Sequence, residues 1–420
     1  MAKKRIAFAM IEAGGGHKMP ALAVFESLNR LYPGKYEMTV LDFMKDLGCV
    51  DLDQVHKSTW KYLLTHPSLT KSIQTFDFIT GPVNMQIYKL AITAFYPYVL
   101  RYLRKEKPDL IFSTHYFNTM AVSHVRKAHG LDTVLVNFLS EIFDFDSYWY
   151  LKNVDHYVVT SEQAARKLLR RRFPKSKLQL FPYPVRRSFF RIRHGREQIL
   201  RELGLPPARR TLLVTLGSEG IGAISTVRLL ASLVRRNLPL NVVVVTGNNA
   251  RLRRQLQVEF GEAPGATRIV PLGFSTHMNE LINAADFCFI KPGPATTWEV
   301  LSLRKPILFA ASAQLSENPN IRYAVRHGVA YYVGVSPKRF VRRVRELMDG
   351  AALARFRRNY ERLALKNGAD DIARFVNGVL CGRLPPAPRL PAPARPGRRA
   401  RWARRARRSR TTPGAERSGR

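Results

Sequence analysis

The run Lys291-Pro292-Gly293-Pro294-Ala295-Thr296-Thr297-Trp298-Glu299 holds the residue types most readily turned to chemistry. It follows the apolar stretch Asp286-Phe287-Cys288-Phe289-Ile290 and opens into a helical pattern. A strand that feeds a Pro/Gly turn and then a helix N-terminus presents unpaired backbone N–H groups and the positive end of a dipole, which is where a phosphate binds. Glu299 falls about one turn into that helix, where a carboxylate can accept from two sugar hydroxyls. Phosphate and ribose contacts side by side read as a nucleotide site. Taken alone, the loop is equally consistent with a plain structural turn.

A second loop of the same kind lies near the N-terminus. Arg5-Ile6-Ala7-Phe8-Ala9-Met10-Ile11 reads as a buried strand, followed by Gly14-Gly15-Gly16-His17. A helical pattern then places Leu22, Phe25, Leu28 and Leu31 on one face. Three glycines let backbone approach a ligand closely. The final Gly-Lys-Ser/Thr of a Walker A loop is absent, and the spacing is not a clean G-x-G-x-x-G. His17 titrates in the range a general base needs. A tight turn and a helix-start histidine bonded to backbone would look the same in sequence.

These elements must be held by two α/β units. Strand-like runs fall near 4–11, 37–42, 109–113, 133–139 and 155–160, then near 211–216, 241–246, 268–270, 286–290, 306–309 and 329–333. Most are continuous apolar runs, as expected of parallel strands covered on both faces. Helical stretches between them imply βαβ units and doubly wound sheets. A break at Pro182-Tyr183-Pro184, running through a basic stretch to Pro206-Pro207, divides the chain. The expected organisation is 1–185, 186–382, and an Arg/Pro-rich tail over 383–420 that cannot bury a core and reads as disordered.

The motifs, in this order and spacing over about residues 3–380, resemble the UDP-glycosyltransferases of family 28, the group of MurG and monogalactosyldiacylglycerol synthase. The resemblance is carried by Gly14 to His17, Leu216-Gly217-Ser218-Glu219-Gly220, Pro271-Leu272-Gly273-Phe274 with Met278, Ala285-Asp286, and the run 291–299. It implies the GT-B architecture, two Rossmann-like domains facing across a cleft. The N-terminal domain then takes a lipid acceptor and the C-terminal domain a nucleotide sugar. By this resemblance Gly217, Ser218, Glu219 and Gly220 face the diphosphate, and Phe274 and Met278 frame the base. Gly293 and Thr296 hold phosphate, and Glu299 the ribose. Gln314 and Asn320 bind sugar hydroxyls, and Gly14, Gly15 and Gly16 form the acceptor-side loop. His17 lies at the cleft, where it is the candidate catalytic base. The last helix crosses back to the first domain, here from Asp371 to Leu380.

Three departures matter. Where the family carries Thr-Asp and then His and Trp, this chain reads Ser140-Glu141-Ile142-Phe143-Asp144-Phe145-Asp146-Ser147-Tyr148-Trp149, with Asp146 in place of the histidine. Asp146 is therefore an alternative base, or part of a solvated acidic loop. The segment Gln314-Leu315-Ser316-Glu317-Asn318-Pro319-Asn320 is about two residues longer than the family pattern, with Leu315 for the usual acid and Glu317 as a substitute. Pro294 stands where a second glycine is usual and removes one N–H donor.

Composition narrows the partners. Forty-five per cent of residues are hydrophobic, enough for sizeable cores, and the formal net charge is +38. Residues 383–420 hold thirteen Arg and one Glu, which leaves about +26 on the rest. Such charge favours polyanions, either an anionic membrane surface or nucleic acid. With only Trp402 in the tail, spacing for single-strand stacking is missing and no specific nucleic acid is expected. Aromatic and basic residues over 73–105 suit an interfacial anchor, or else a helix packing its apolar face inward. Met85 to Leu100 is short for a bilayer crossing. Three scattered cysteines, Cys49, Cys288 and Cys381, argue against disulfides or a zinc site. No cleavage site follows Met1-Ala2-Lys3-Lys4, which reads as no signal peptide.

The expectation is an inverting transferase moving a hexose from a UDP-sugar to diacylglycerol, with no metal or other cofactor. It would sit on the cytoplasmic, inner face of the cell membrane. Alternatives are N-acetylglucosamine transfer to a polyprenyl-linked acceptor, a UDP-sugar 2-epimerase, and a nucleic-acid-binding protein working through its tail.

Overall fold

A computed structural model describes residues 3–12, 14–77, 92–215, 217, 223–261 and 265–383. The chain forms two six-stranded parallel sheets flanked by helices. The first runs β1 (Lys4–Met10), β2 (Tyr36–Asp42), β3 (Leu110–Ser113), β4 (Val134–Phe138), β5 (His156–Val159) and β6 (Leu178–Leu180), in the order β2-β1-β3-β4-β5-β6. The second runs β7 (Arg210–Thr215), β8 (Leu240–Val245), β9 (Arg268–Leu272), β10 (Phe287–Ile290), β11 (Ile307–Phe309) and β12 (Ala330–Tyr332), in the order β12-β11-β10-β7-β8-β9. Every strand read from sequence is present. β6 is the addition, since three residues are too few to show a pattern.

Most strands are apolar where they are buried because helices cover both faces, whereas the edge strand β2 exposes Glu37 and Thr39. Phe8, Phe112 and Phe138 lie fully buried on neighbouring strands, with ring centroids 5.5 and 6.0 Å apart. In the second sheet Phe289 packs against Phe340 at 5.0 Å.

Each sheet reverses its strand order once, between β1 and β3 in the first and between β7 and β10 in the second. At such a switch point the loops leaving the two strands diverge and open a crevice at the carboxyl edge. The four loops after these strands carry Gly14 to His17, Thr114-His115, Gly217 and Lys291 to Glu299.

The C-terminal helix Ala369–Leu380 does cross back to the first sheet. It packs along helix α1 (Gly15–Leu31). Lys4 Nζ donates to Leu380 O at 2.6 Å and Tyr36 OH to Asn377 Oδ1 at 2.7 Å, while Arg30 pairs with Asp370. Phe375 is buried against Phe181 and His156. The tail from residue 384 lies outside the described residues.

Candidate active site

The loop after β1 turns into α1 through Gly14, at φ +106°, a backbone conformation that strains any residue with a Cβ. Atoms placed at the Cβ positions of Gly15 and Gly16 would lie 3.8 Å from Ala295 Cβ and Pro294 Cγ. The N-terminus of α1 therefore meets the N-terminus of the helix Pro294–Ser302. The two glycine-bearing loops, far apart in sequence, face each other across the cleft. Both helix ends leave first-turn N–H groups without intrahelical partners, which suits a polyanion beside the contact.

His17 sits in the first turn of α1. Its Nδ1 lies 2.7 Å from Thr114 O and 2.9 Å from Ser140 Oγ. A carbonyl only accepts, so Nδ1 carries the hydrogen and Nε2 keeps its lone pair. The ring lies 4.5 Å from His115 and 6.2 Å from the buried Trp149. Burial lowers the His17 pKa to about 4, against the opposing pull of the Thr114 carbonyl. The imidazole is thus neutral at physiological pH and fixed in the tautomer of a base. His115 accepts from Phe117 N at the start of its helix and is held well below the usual range by burial, then by His17 and His56.

On the donor side, Gly293 caps the helix Pro294–Ser302, with Thr296 half-buried in its first turn. Glu299 follows one turn on. Burial raises its carboxyl to about 7, against the field of Arg186, and it has no hydrogen-bond partner among the described residues. Phe274 is 64% exposed, so its ring is open to stack on a base. Met278, by contrast, is half-buried against the core at the start of the helix Met278–Ala284. Gly217 opens the turn after β7 at φ +86°. Ser218, Glu219 and Gly220 lie outside the described residues.

The segment after β11 carries the two residues expected to meet sugar hydroxyls, Gln314 and Asn320. Gln314 and Glu317 form a reciprocal cap around Leu315–Glu317. Glu317 Oε2 accepts from Ala313 N at 2.8 Å and Gln314 N at 3.3 Å, while Oε1 pairs with Lys291 at 3.0 Å. Asn320 is 1% exposed and donates to Pro292 O at 2.9 Å. Glu317, through Lys291, and Asn320, through Pro292, thus brace the phosphate loop, while Asn320 Oδ1 is buried with no partner among the described residues.

Asp146 accepts from Gln74 Nε2 at 2.9 Å and Tyr148 OH at 2.7 Å. Burial raises its pKa against these two donors. It borders a cavity of about 250 Å³ lined with Gln74, Asp77, Lys167, Arg171 and Ser316. Asp144 pairs with Lys167 instead. Among the described residues no three His, Cys, Asp or Glu side chains are grouped to hold a metal ion.

Sequence reasoning passed over Glu141 and Gln74. Burial, and then the nearby Asp146 and Glu317, raise Glu141 to about 8. Gln74 accepts from Leu315 N at 2.7 Å while donating to Asp146, so it ties the loop after β11 to the first domain. A family histidine replaced by Asp146 drew attention away from Glu141. Gln74 has no sequence signal, because its partners are 72 and 241 positions away.

Among the described residues, the interfacial segment over 73–105 is met only at its start, where Ile73 and Phe76 are exposed. Residues 78–91, with Phe78, Ile79, Tyr88 and Lys89, lie outside the described residues. In the helix Tyr96–Glu106, Val99 and Leu103 are buried, as is the preceding Phe95, and Tyr102 packs on Phe43 at 5.5 Å. Arg101, Arg104 and Lys105 remain in solvent. This helix is packed, with its charges solvated. The exposed apolar surface lies upstream. In the helix over 67–77, Thr70, Gln74 and Asp77 are buried while Leu69, Ile73 and Phe76 are exposed at 43%, 41% and 59%. Both triads follow helical spacing, so this helix is polar inside and apolar outside, the reverse of an ordinary surface helix.

Residues 17–185 match the family model for monogalactosyldiacylglycerol synthase, and residues 211–362 match the C-terminal domain of glycosyltransferase family 28. The chain belongs to the family 28 glycosyltransferases. A probable monogalactosyldiacylglycerol synthase 3 of rice is 28% identical to this family 28 chain over 339 residues, covering 78% of the chain and 65% of the rice protein. The synthase 1 of Arabidopsis thaliana is 26% identical over 344 residues, covering 80% and 63%. The chain thus spans just under two thirds of these two plant proteins. Among solved structures, Acinetobacter baumannii MurG superposes with a TM-score of 0.56 at 15% identity, over 90% of this chain and 99% of MurG. Staphylococcus aureus MnaA, solved with UDP, gives 0.58 at 15% identity, over 92% and 99%. Both share the GT-B fold.

Proposed function

We propose that this family 28 chain is an inverting glycosyltransferase that moves a hexose from a UDP-sugar to diacylglycerol at a membrane surface. The observation that carries the reading is the meeting of the two glycine-bearing helix N-termini, with the neutral His17 on one side and the unpartnered Glu299 on the other. A diphosphate lies against the first-turn N–H groups beside the contact of these helix ends, the ribose diol reaches Glu299, and the nucleobase lies on Phe274. Gly217, Gly293 and Thr296 complete the donor side. His17 Nε2 accepts the proton of the attacking hydroxyl, the new bond forms at the anomeric carbon, and the bond to the diphosphate breaks on the opposite face. UDP leaves with the electron pair, its charge met by the helix ends. Asp146, held by two donors, is the alternative base.

The acceptor follows from the relatives' names and from the inverted helix over 67–77. Its exposed Leu69, Ile73 and Phe76 suit the hydrocarbon edge of a bilayer, and the surplus of cations suits anionic headgroups. Among the described residues no helix is long and apolar enough to cross a membrane. The reading is a peripheral enzyme at the inner face of the cell membrane, using no cofactor beyond its donor.

The test is a transfer assay with the full chain, anionic liposomes containing diacylglycerol, and a panel of labelled UDP-sugars. A labelled glycolipid on thin-layer chromatography is the expected result and names the sugar. UDP binding without transfer to any diacylglycerol would send the acceptor assignment to polyprenyl lipids. Lipid-independent conversion of UDP-sugar would replace it with an epimerase.

A further inference from the structure

The helix over 67–77 turns its polar side inward, and Gln74 is the residue on that side that reaches both halves of the cleft. It is 7% exposed, and both polar atoms of its side chain are engaged. Oε1 accepts from Leu315 N at 2.7 Å, and Nε2 donates to Asp146 Oδ2 at 2.9 Å. A backbone N–H only donates, so Leu315 fixes which way the amide faces and leaves Nε2 to meet Asp146.

Each bond leads on to one side of the chemistry. Leu315 opens the turn that ends at Glu317, and Glu317 pairs with Lys291 of the phosphate loop at 3.0 Å. Asp146 belongs to the loop after β4. That loop holds Ser140, 2.9 Å from His17 Nδ1, and Trp149, stacked 6.2 Å from the same imidazole. Asp77, on the same helix face as Gln74, holds this loop a second time through Ser147 N at 3.0 Å. The helix is thus anchored on the acceptor side by Asp77 and spans to the donor side through Gln74. The cavity of about 250 Å³ beside Asp146 takes its walls from both domains, Gln74 and Ser147 from one, Leu315 and Ser316 from the other.

Local stability does not account for this arrangement. A glutamine on the inner face of a helix adds no apolar area to the core, while Leu69, Ile73 and Phe76 stay outside. What its burial gains is the pair of bonds. Contacts nearby across the same cleft are between rings, with Phe143 at 4.9 Å from Tyr323 and 5.7 Å from Trp298. Apolar burial is largely non-directional, whereas an amide with two hydrogen bonds fixes both a distance and a direction.

We propose that Gln74 is a positioning residue for the transfer, setting the spacing between the loop that braces the phosphate site and the loop that supports His17. The inference rests on the transferase reading above. The attacking hydroxyl and the anomeric carbon belong to substrates held on opposite sides of the cleft, and reaction needs them about 3–3.5 Å apart and aligned. A misplacement of about 1 Å costs on the order of 10²-fold in rate. Nucleotide binding is built within the second domain and does not need this bracket.

The experiment is steady-state transfer by the full chain from a UDP-hexose to diacylglycerol in anionic liposomes, with UDP affinity measured in parallel by calorimetry. Gln74→Ala removes both bonds. Its kcat should fall roughly tenfold or more, with UDP affinity and the KM for lipid within about threefold of wild type. Gln74→Glu keeps the shape and the acceptor for Leu315 N. Its ionised carboxyl cannot donate to Asp146 and repels it, whereas its neutral form restores both bonds. The kcat of this variant relative to wild type should therefore rise as pH is lowered from 8 to 5.5. A residue with a merely structural role would lower UDP affinity and Tm along with the rate and show no such recovery. Wild-type kcat in the Ala variant would overturn the proposal. So would a loss confined to the lipid KM, which marks a lipid-binding residue, or a ratio of the Glu variant to wild type that stays flat or falls as pH drops. If the wild type itself transfers hexose from no UDP-hexose, the transferase reading falls and the proposal falls with it.

Discussion

Two residues divide the chemistry between the domains. His17 is fixed by Thr114 O with Nε2 free, so its removal should leave donor binding intact and remove the base. We expect His17→Ala to lower kcat by roughly 10²-fold or more, the usual range for a positioned acid–base group, with UDP affinity unchanged by calorimetry. An equal loss in both would make His17 a binding residue. Glu299, raised to about 7, must ionise to accept from two hydroxyls. UDP affinity should therefore rise with pH through about 7 in the wild type, and Glu299→Gln should bind more weakly and lose that rise. Binding that is flat in pH from 6 to 7.5 in the wild type would remove Glu299 from the ribose.

At the scale of elements, the site depends on how segments distant in sequence brace one another. Asn320 holds Pro292, Lys291 holds Glu317, and Gln74 joins the loop after β11 to Asp146. The helix over 67–77 has one face in this network and the other exposed, so a surface that presses on Leu69 and Ile73 also presses on the cleft. The C-terminal helix is set by one close approach. A Cβ at Gly368 would lie 1.9 Å from Pro182 O. Asn367 staples the same corner through Val185 N at 3.0 Å and Val185 O at 2.7 Å. Gly368→Ala should thus force the crossing apart and cost about 1–3 kcal/mol, the range for overpacking, read as a lower midpoint in urea. A midpoint equal to wild type would mean the linker yields freely. The strands were legible because doubly wound sheets bury both faces of each strand, which leaves continuous apolar runs. β6, with its three residues, was not.

At the scale of the molecule, buried titratable groups set the pH response. Glu141 and Glu299 hold protons more tightly folded than unfolded, where a glutamate titrates near 4.5. Their contribution is present at low pH and is lost as pH rises from about 4.5 to 8. His17 and His56, held near 4, act the other way: stability rises with pH from about 4 to 6.5 as the unfolded state gives up its protons. Above 6.5 only the acids remain in play. Without ligand, Tm should therefore fall between pH 6.5 and 8.5, and Glu141→Gln should flatten that fall. A Tm that climbs over this range would contradict both assignments. The exposed helix face makes a separate prediction. Leu69→Asp with Ile73→Asp should abolish co-sedimentation with anionic liposomes and leave UDP binding unchanged. Persistent sedimentation, removed only by salt, would place membrane contact on the basic surface alone.

The two α/β units, eleven of the twelve strands and the two glycine-bearing loops were legible in the chain. These follow from local rules: apolar runs for buried strands, and glycine and proline at turns that open helices. Tertiary structure decided which residues share a space. It set α1 against the phosphate loop, fixed the His17 tautomer through Thr114, and tied Glu317 and Asn320 to the phosphate loop. It also confined the exposed apolar face, expected over 73–105, to the helix over 67–77 among the described residues. Periodicity shows that a helix has an apolar face but not which face turns inward. That choice rests on burying polar groups that find hydrogen-bond partners elsewhere in the fold, and here Gln74 and Asp77 found theirs at Leu315, Asp146 and Ser147.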